Sequence, residues 1–179
     1  MSDLLRLDQL EVSELEWRQP ALGRKFELSG PDGAYARLDF RGLASATTAG
    51  ASAVGTTARA SWTFDKLGML KSHIRIRFAD SDQDFATYEP NFTGKKGRLN
   101  YASGQYVEFV STNFFQTEWQ WLTPEGDGLI GFRQRQAGKP SAQVFLGEDC
   151  LQRVDLDLLL LLAFYLLVLL REEAAKAER

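Results

Sequence analysis

Between about Arg24 and Leu146 apolar and polar side chains alternate in short runs, and clusters of Gly, Pro, Asp and Ser separate the runs. A period of two sends successive side chains to opposite faces of an extended chain, so the pattern predicts many short antiparallel strands. Lys25-Phe26-Glu27-Leu28 and Ala34-Tyr35-Ala36-Arg37-Leu38-Asp39-Phe40 flank Ser29-Gly30-Pro31-Asp32-Gly33, a hairpin with turn-forming residues at its tip. In His73–Phe78, Ile74, Ile76 and Phe78 share one face while His73, Arg75 and Arg77 share the other, which predicts a strand with a core side and a wet side. Arg98–Val110 predicts two strands around Ala102-Ser103-Gly104. Phe115–Leu122 and Leu129–Gln136 predict a hairpin through Thr123–Gly128, with Phe115, Thr117, Trp119 and Trp121 in line on one face that packs in the core or, alternatively, meets a membrane interface or a partner. After Gly138-Lys139-Pro140 a last strand covers Ala142–Leu146. Residues 44–60 are almost all Ala, Ser, Thr and Gly, which reads either as a low-complexity loop or as strand that lets something bulky approach closely.

The pattern changes at Val154. Residues 158–170 are 13 uncharged residues, mostly Leu, and at that length they predict a helix apolar on every face. Such a helix belongs inside a protein or inside a bilayer. At about 1.5 Å per residue it reaches only ~20 Å, short of a ~30 Å hydrocarbon layer and matched to a strand of about six residues. The expectation is a helix enclosed by its own sheet, with Asp155 and Asp157 satisfying N–H groups at its start. One domain is expected over residues 1–179: strands about 4–146, a central helix about 154–172, and a polar helical tail at 173–179.

Composition narrows the chemistry. The 179 residues are 44% hydrophobic and 25% charged, ordinary values for a folded domain. The net charge of -3 speaks against a nucleic-acid partner, one Cys against a disulfide framework, and one His against a multi-imidazole metal centre. The opening residues lack a basic segment followed by an apolar run, so a cytoplasmic location is expected, with peripheral attachment to a membrane as a variant of it.

A chain of many antiparallel strands closed by one very apolar helix resembles the tubby C-terminal-like superfamily, which includes tubby-like proteins, phospholipid scramblases and LURP-one-related proteins. Val154-Asp155-Leu156-Asp157 entering the leucine run is similar to the acidic-apolar alternation that opens the terminal helix of scramblases. Gly23-Arg24-Lys25-Phe26-Glu27-Leu28, Ser61-Trp62-Thr63-Phe64 and the hairpin around Glu125–Gly128 agree in order and spacing. The resemblance implies a mainly β fold: a closed antiparallel barrel of about twelve strands around a central hydrophobic helix. It differs from animal scramblases in having no acylation Cys cluster, and Gly147-Glu148-Asp149-Cys150 stands where they carry a fuller acidic motif.

Candidate site residues lie in the basic middle of the chain, where residues 59–98 hold 8 basic and 5 acidic side chains. Lys71, His73, Arg75 and Arg77 form a ladder along one strand, and Gly94-Lys95-Lys96-Gly97-Arg98 is a basic turn. Lys71, Arg75, Arg77, Lys95, Lys96 and Arg98 are therefore the candidates for binding an anionic headgroup. Asp80-Ser81-Asp82-Gln83-Asp84 has alternate acids but lacks the Gly and Glu of a calcium loop, and reads as a hairpin turn. Asn91-Phe92-Thr93 reads as an incidental sequon. No nucleophile motif accompanies His73, and acids flank Cys150 and oppose its thiolate. The expected function is a non-enzymatic module without cofactor or metal. It binds an anionic phospholipid headgroup or a protein partner through its outer surface, because a helix filling the interior would leave no ligand cavity and binding would fall outside or at the rims. The alternative is a membrane-inserted, scramblase-like protein anchored by the C-terminal helix.

Overall fold

A computed structural model describes residues 3–10, 14–21, 23–41, 51–68, 71–135 and 137–178. The strands are β1 (Leu15–Arg18), β2 (Lys25–Gly30), β3 (Gly33–Arg41), β4 (Ser52–Thr57), β5 (Ser61–Leu67) and β6 (His73–Phe78). They continue as β7 (Asp84–Pro90), β8 (Lys96–Tyr101), β9 (Tyr106–Ser111), β10 (Glu118–Leu122), β11 (Gly128–Gln134) and β12 (Ala142–Leu146). Each pairs antiparallel with the next, and β1 closes the ring on β12 with Leu15 opposite Val144 and Trp17 opposite Ala142. The expected closed antiparallel barrel with one C-terminal helix is thus the fold.

Alternation decides the inside. Leu15 and Trp17, Phe26 and Leu28, Trp62 and Phe64, Ile74 and Ile76, Val107 and Phe109, and Trp119 and Trp121 are all buried. Between them, Arg37, Asp39, Arg98 and Arg133 stay exposed. Helix α1 (Leu156–Ala177) runs through the interior, and every residue from Leu156 to Leu169 is buried. Trp17 stacks on Phe164 at 5.0 Å and Phe40 on Tyr165 at 5.4 Å, so rings from separate strands grip the helix. Trp121 Nε1 donates to the Leu159 carbonyl at 2.9 Å, and the Tyr165 hydroxyl donates to the Ala51 carbonyl. At Gly55 on β4 an added Cβ would stand 2.9 Å from Leu161 Cδ1, so this small residue is what lets the helix approach. Burial of each leucine contributes roughly 1.5–3 kcal/mol, which makes the helix the centre of the core. No described helix is long and apolar enough to cross a membrane.

Several expectations need correction. Strands begin at Leu15, not near residue 4; a 3-10 turn at Leu7–Gln9 precedes them, and Leu4, Leu7 and Leu10 are buried. The Leu5 amide donates to the Ala34 carbonyl at 2.8 Å, which ties this segment to the first hairpin. The helix starts at Leu156, two residues late, because Arg153 and Tyr101 both bind the Asp155 carboxylate and hold that residue in a turn. Neither acid caps the helix as expected: Asp155 makes no side-chain cap bond, and Asp157 receives the Thr57 hydroxyl at 2.6 Å. The small-residue segment is strand from Ser52 to Thr57, and residues 44–50 lie outside the described residues.

Candidate functional site

Strands that alternate up and down place their connections at two ends of the barrel. At the entry end, where α1 begins, lie the β2–β3, β4–β5, β6–β7, β8–β9 and β10–β11 tips and the link from β12 to α1. The other connections lie at the exit end, where the helix leaves.

The exit end carries two tips that hold aromatic rings in water. Phe92 at the β7–β8 tip is 100% exposed, and Phe114 and Phe115 at the β9–β10 tip are 87% and 73% exposed. Both tips are internally bonded. Asn91 Oδ1 accepts from the Thr93 hydroxyl at 3.0 Å and the Lys96 amide at 3.4 Å, and the Asn91 amide donates to the Lys96 carbonyl at 2.8 Å. In the same way Asn113 Oδ1 accepts from the Thr117 amide at 2.9 Å and the Glu118 amide at 3.1 Å, while its Nδ2 donates to the Thr117 hydroxyl at 2.6 Å. Gln116 sits between them with φ +55°, a left-handed conformation unfavourable for a side chain with a Cβ. Trp119 Nε1 donates to the Gln116 carbonyl at 2.9 Å and locks that bend. The Ser111 amide donates to the Lys95 carbonyl at 2.9 Å, so the two tips are joined.

This bend corrects the expected hairpin. Phe115 and Thr117 do not continue the Trp119 and Trp121 face, because β10 starts at Glu118 and the left-handed Gln116 turns the preceding residues outward. The sequence does hold a signal for these tips. Phe92, Phe114 and Phe115 sit among turn formers, Asn91-Phe92-Thr93-Gly94 and Thr112-Asn113-Phe114-Phe115-Gln116-Thr117, where an apolar ring has no strand to join.

The six basic candidates do not form one site. Lys71, Lys95 and Lys96 are exposed at the exit end, around the phenylalanine tips. Arg75 stands midway along the wall, 3.7 Å from Asp65, and Arg77 lies toward the entry end, paired with Asp84 at 2.8 Å. The guanidinium of Arg98 lies on the outer wall over the Tyr106 ring, 4.0 Å from its centroid. Cross-strand neighbours thus occupy half of the expected ladder, while the lysines remain turned to solvent. In sequence, the exit-end connections hold Arg24, Lys71, Lys95, Arg135 and Lys139 and no carboxylate. The emerging helix adds acids there, but Glu172 binds Arg24 at 2.9 Å and Glu173 binds Lys66.

Elsewhere, Asp80–Asp84 forms the β6–β7 turn, with Asp84 engaged by Arg77. Among the described residues no cluster of His, Cys, Asp and Glu is arranged to hold a metal. Cys150 is buried, and that burial pushes its thiol pKa up. The helix-filled interior is expected to leave binding to the outside or the rims, and at the entry-end rim the hairpin tips and the start of α1 surround a cavity of about 1000 Å³. Comparison with known proteins finds no match: no family model, no curated protein and no solved structure matches this chain.

Proposed function

We propose that the protein is a non-catalytic, tubby-like module that docks by its exit end on membranes bearing anionic lipid. Phe92, Phe114 and Phe115 enter the headgroup region, while Lys71, Lys95 and Lys96 meet phosphate and carboxylate groups. The observation that carries the reading is the pair of bonded tips that hold three phenylalanines in water beside exposed lysines that form no ion pair among the described residues. Exposed aromatic rings cost free energy in solution; the bonded turn with a left-handed Gln116 holds Phe114 and Phe115 outward, and the Asn91 bonds hold the tip that carries Phe92. Each fully buried Phe would contribute roughly 1.5–3 kcal/mol and each lysine about 1 kcal/mol at an anionic surface. That favours a lipid surface over a protein groove, since a flat anionic layer accepts separate rings and cations without shape matching. The resemblance to tubby-like proteins, which bind phosphoinositides through basic side chains, points the same way. The scramblase-like alternative needs residues 158–170 in contact with lipid, and the barrel encloses them through Leu169.

Co-sedimentation with vesicles tests the proposal. Wild-type protein is expected to pellet with phosphatidylcholine vesicles that contain phosphatidylserine, to pellet less with pure phosphatidylcholine, and to be released by high salt. The Phe92→Ser, Phe114→Ser, Phe115→Ser triple variant and the Lys95→Glu, Lys96→Glu double variant are both expected to stay in the supernatant. A wild-type protein that ignores phosphatidylserine vesicles at low salt overturns the reading and leaves a protein partner as the occupant of this face.

A further inference from the structure

The opposite end of the barrel carries a second, independent feature. The cavity of about 1000 Å³ at the entry end has the size of a small-molecule site. One wall is aromatic: Trp62 stacks on Phe78 at 5.8 Å, Phe78 meets Phe85 at 4.9 Å, and Phe85 meets Tyr101 at 6.0 Å. Its inner boundary includes Asp157, on the first turn of α1 and only 2% exposed.

Two polar atoms among these lining residues lack a hydrogen-bond partner among the described residues, namely Asp157 Oδ1 and Trp62 Nε1. Buried groups of this kind are rare because an unmade bond is costly. Asp157 Oδ2 is occupied by the Thr57 hydroxyl at 2.6 Å, and among the described residues no cation pairs with this carboxylate. The neighbouring Asp155 is the contrast, with Arg153 Nε on one oxygen at 2.8 Å and the Tyr101 hydroxyl on the other at 2.5 Å. Of the other charged lining residues, Asp84 is paired with Arg77, so Asp157 and Glu125 stand against Arg59 alone. Asp157 lies in the first turn of α1, at the end of the helix dipole that favours a carboxylate and, with it, a counter-charge in the cavity.

We propose that this cavity binds an organic ammonium with an apolar body. Its positive head sits over the aromatic wall at the Asp157 end of the cavity. A quaternary or protonated amine fits because aromatic faces attract cations that water solvates weakly, and the carboxylate supplies the counter-charge. Such a head occurs on free amines and on choline lipids, and the probes distinguish the two sources.

Calorimetry on the full chain provides the test, with hexyltrimethylammonium, its neutral counterpart hexanol, and dihexanoylphosphatidylcholine below its micellar concentration. Hexyltrimethylammonium is expected to bind, and hexanol, which has the same chain without the cationic head, to bind at least about tenfold more weakly. Asp157→Asn keeps the size and the Thr57 contact, and is expected to weaken the cation about tenfold, leave hexanol unchanged and raise the melting temperature of the empty protein. A purely structural Asp157 would instead leave binding alone. Phe85→Ala, at the mouth, is expected to weaken the cation without unfolding the barrel, which keeps the test intact if Asp157→Asn folds poorly. Tighter binding of dihexanoylphosphatidylcholine than of the free cation assigns the site to a lipid headgroup, and the reverse assigns it to a soluble amine. No heat with either ammonium probe, or equal affinity for hexanol, overturns the proposal.

Discussion

At Gly97 the barrel wall has room for a hydrogen and nothing more. The residue lies in β8 between exposed Lys96 and exposed Arg98, so its α-carbon faces inward, under the buried ring of Tyr88 on β7. A Cβ built there would overlap the Tyr88 ring carbons, not merely its hydroxyl. The ring touches Trp121 edge-on at 6.3 Å, which leaves it little freedom to retreat. Gly97→Ala is therefore expected to destabilise the protein by about 1–3 kcal/mol, the usual cost of overpacking. Denaturant titration would measure it, and Tyr88→Leu in the same chain should recover part of the loss. An unchanged midpoint for Gly97→Ala would contradict the packing. In sequence Gly97 reads as the bracket of a basic turn, because the demand for a bare α-carbon comes from a residue on another strand.

The same distinction separates what was legible at the level of elements from what was not. Period-two alternation revealed most of the strands, and the leucine run revealed the helix, since both signals are carried by neighbours in the chain. The start of the helix is hidden from a reading of neighbours because distant partners set it, whereas the β9–β10 tip is set locally, by Asn113 and the left-handed Gln116, in a way that strand alternation does not register. Thr57 and Asp157 are 100 residues apart, and Tyr101 and Asp155 are 54 apart. The helix element also carries the clearest stability prediction. Leu162 is fully buried among the barrel walls, and Leu162→Asp would place a carboxylate there without a partner, at a cost of several kcal/mol. Such a loss approaches the whole stability of a domain, so the variant is expected to lack a cooperative melting transition. Ala174→Asp, on the exposed tail of the same helix, serves as the control and should melt like wild type. Wild-type melting of Leu162→Asp would mean that the helix does not fill the barrel.

For the whole molecule, charge is sorted by end and not by sequence region. The entry-end connections hold eight carboxylates (Asp32, Asp80, Asp82, Glu125, Asp127, Glu148, Asp149 and Asp155) against Arg59 and Arg153, while those at the exit end hold only cations. Counting along the chain conceals this, because successive hairpins deliver their tips to alternate ends. The sequence therefore pointed to the exit-end lysines through the basic stretch around Lys95 but gave no view of the polarity that isolates them. The protons of the interior follow from the same closed architecture. Burial is the main cause that raises the pKa of Tyr88, Tyr101 and Tyr165, and for Tyr101 the Asp155 carboxylate adds to it. The native state consequently holds three phenolic protons that an unfolded chain releases near pH ~10. Stability from these groups is complete below about pH 10 and falls as pH rises past it, since only the unfolded state then gains by ionising. Raising the pH from about 8 to about 11 should lower the melting temperature, with tyrosinate absorbance of the buried rings appearing only as circular dichroism reports unfolding. Ionisation of all five tyrosines in a chain that keeps its native dichroism would show that solvent reaches the interior, and the enclosed helix would fall with that result.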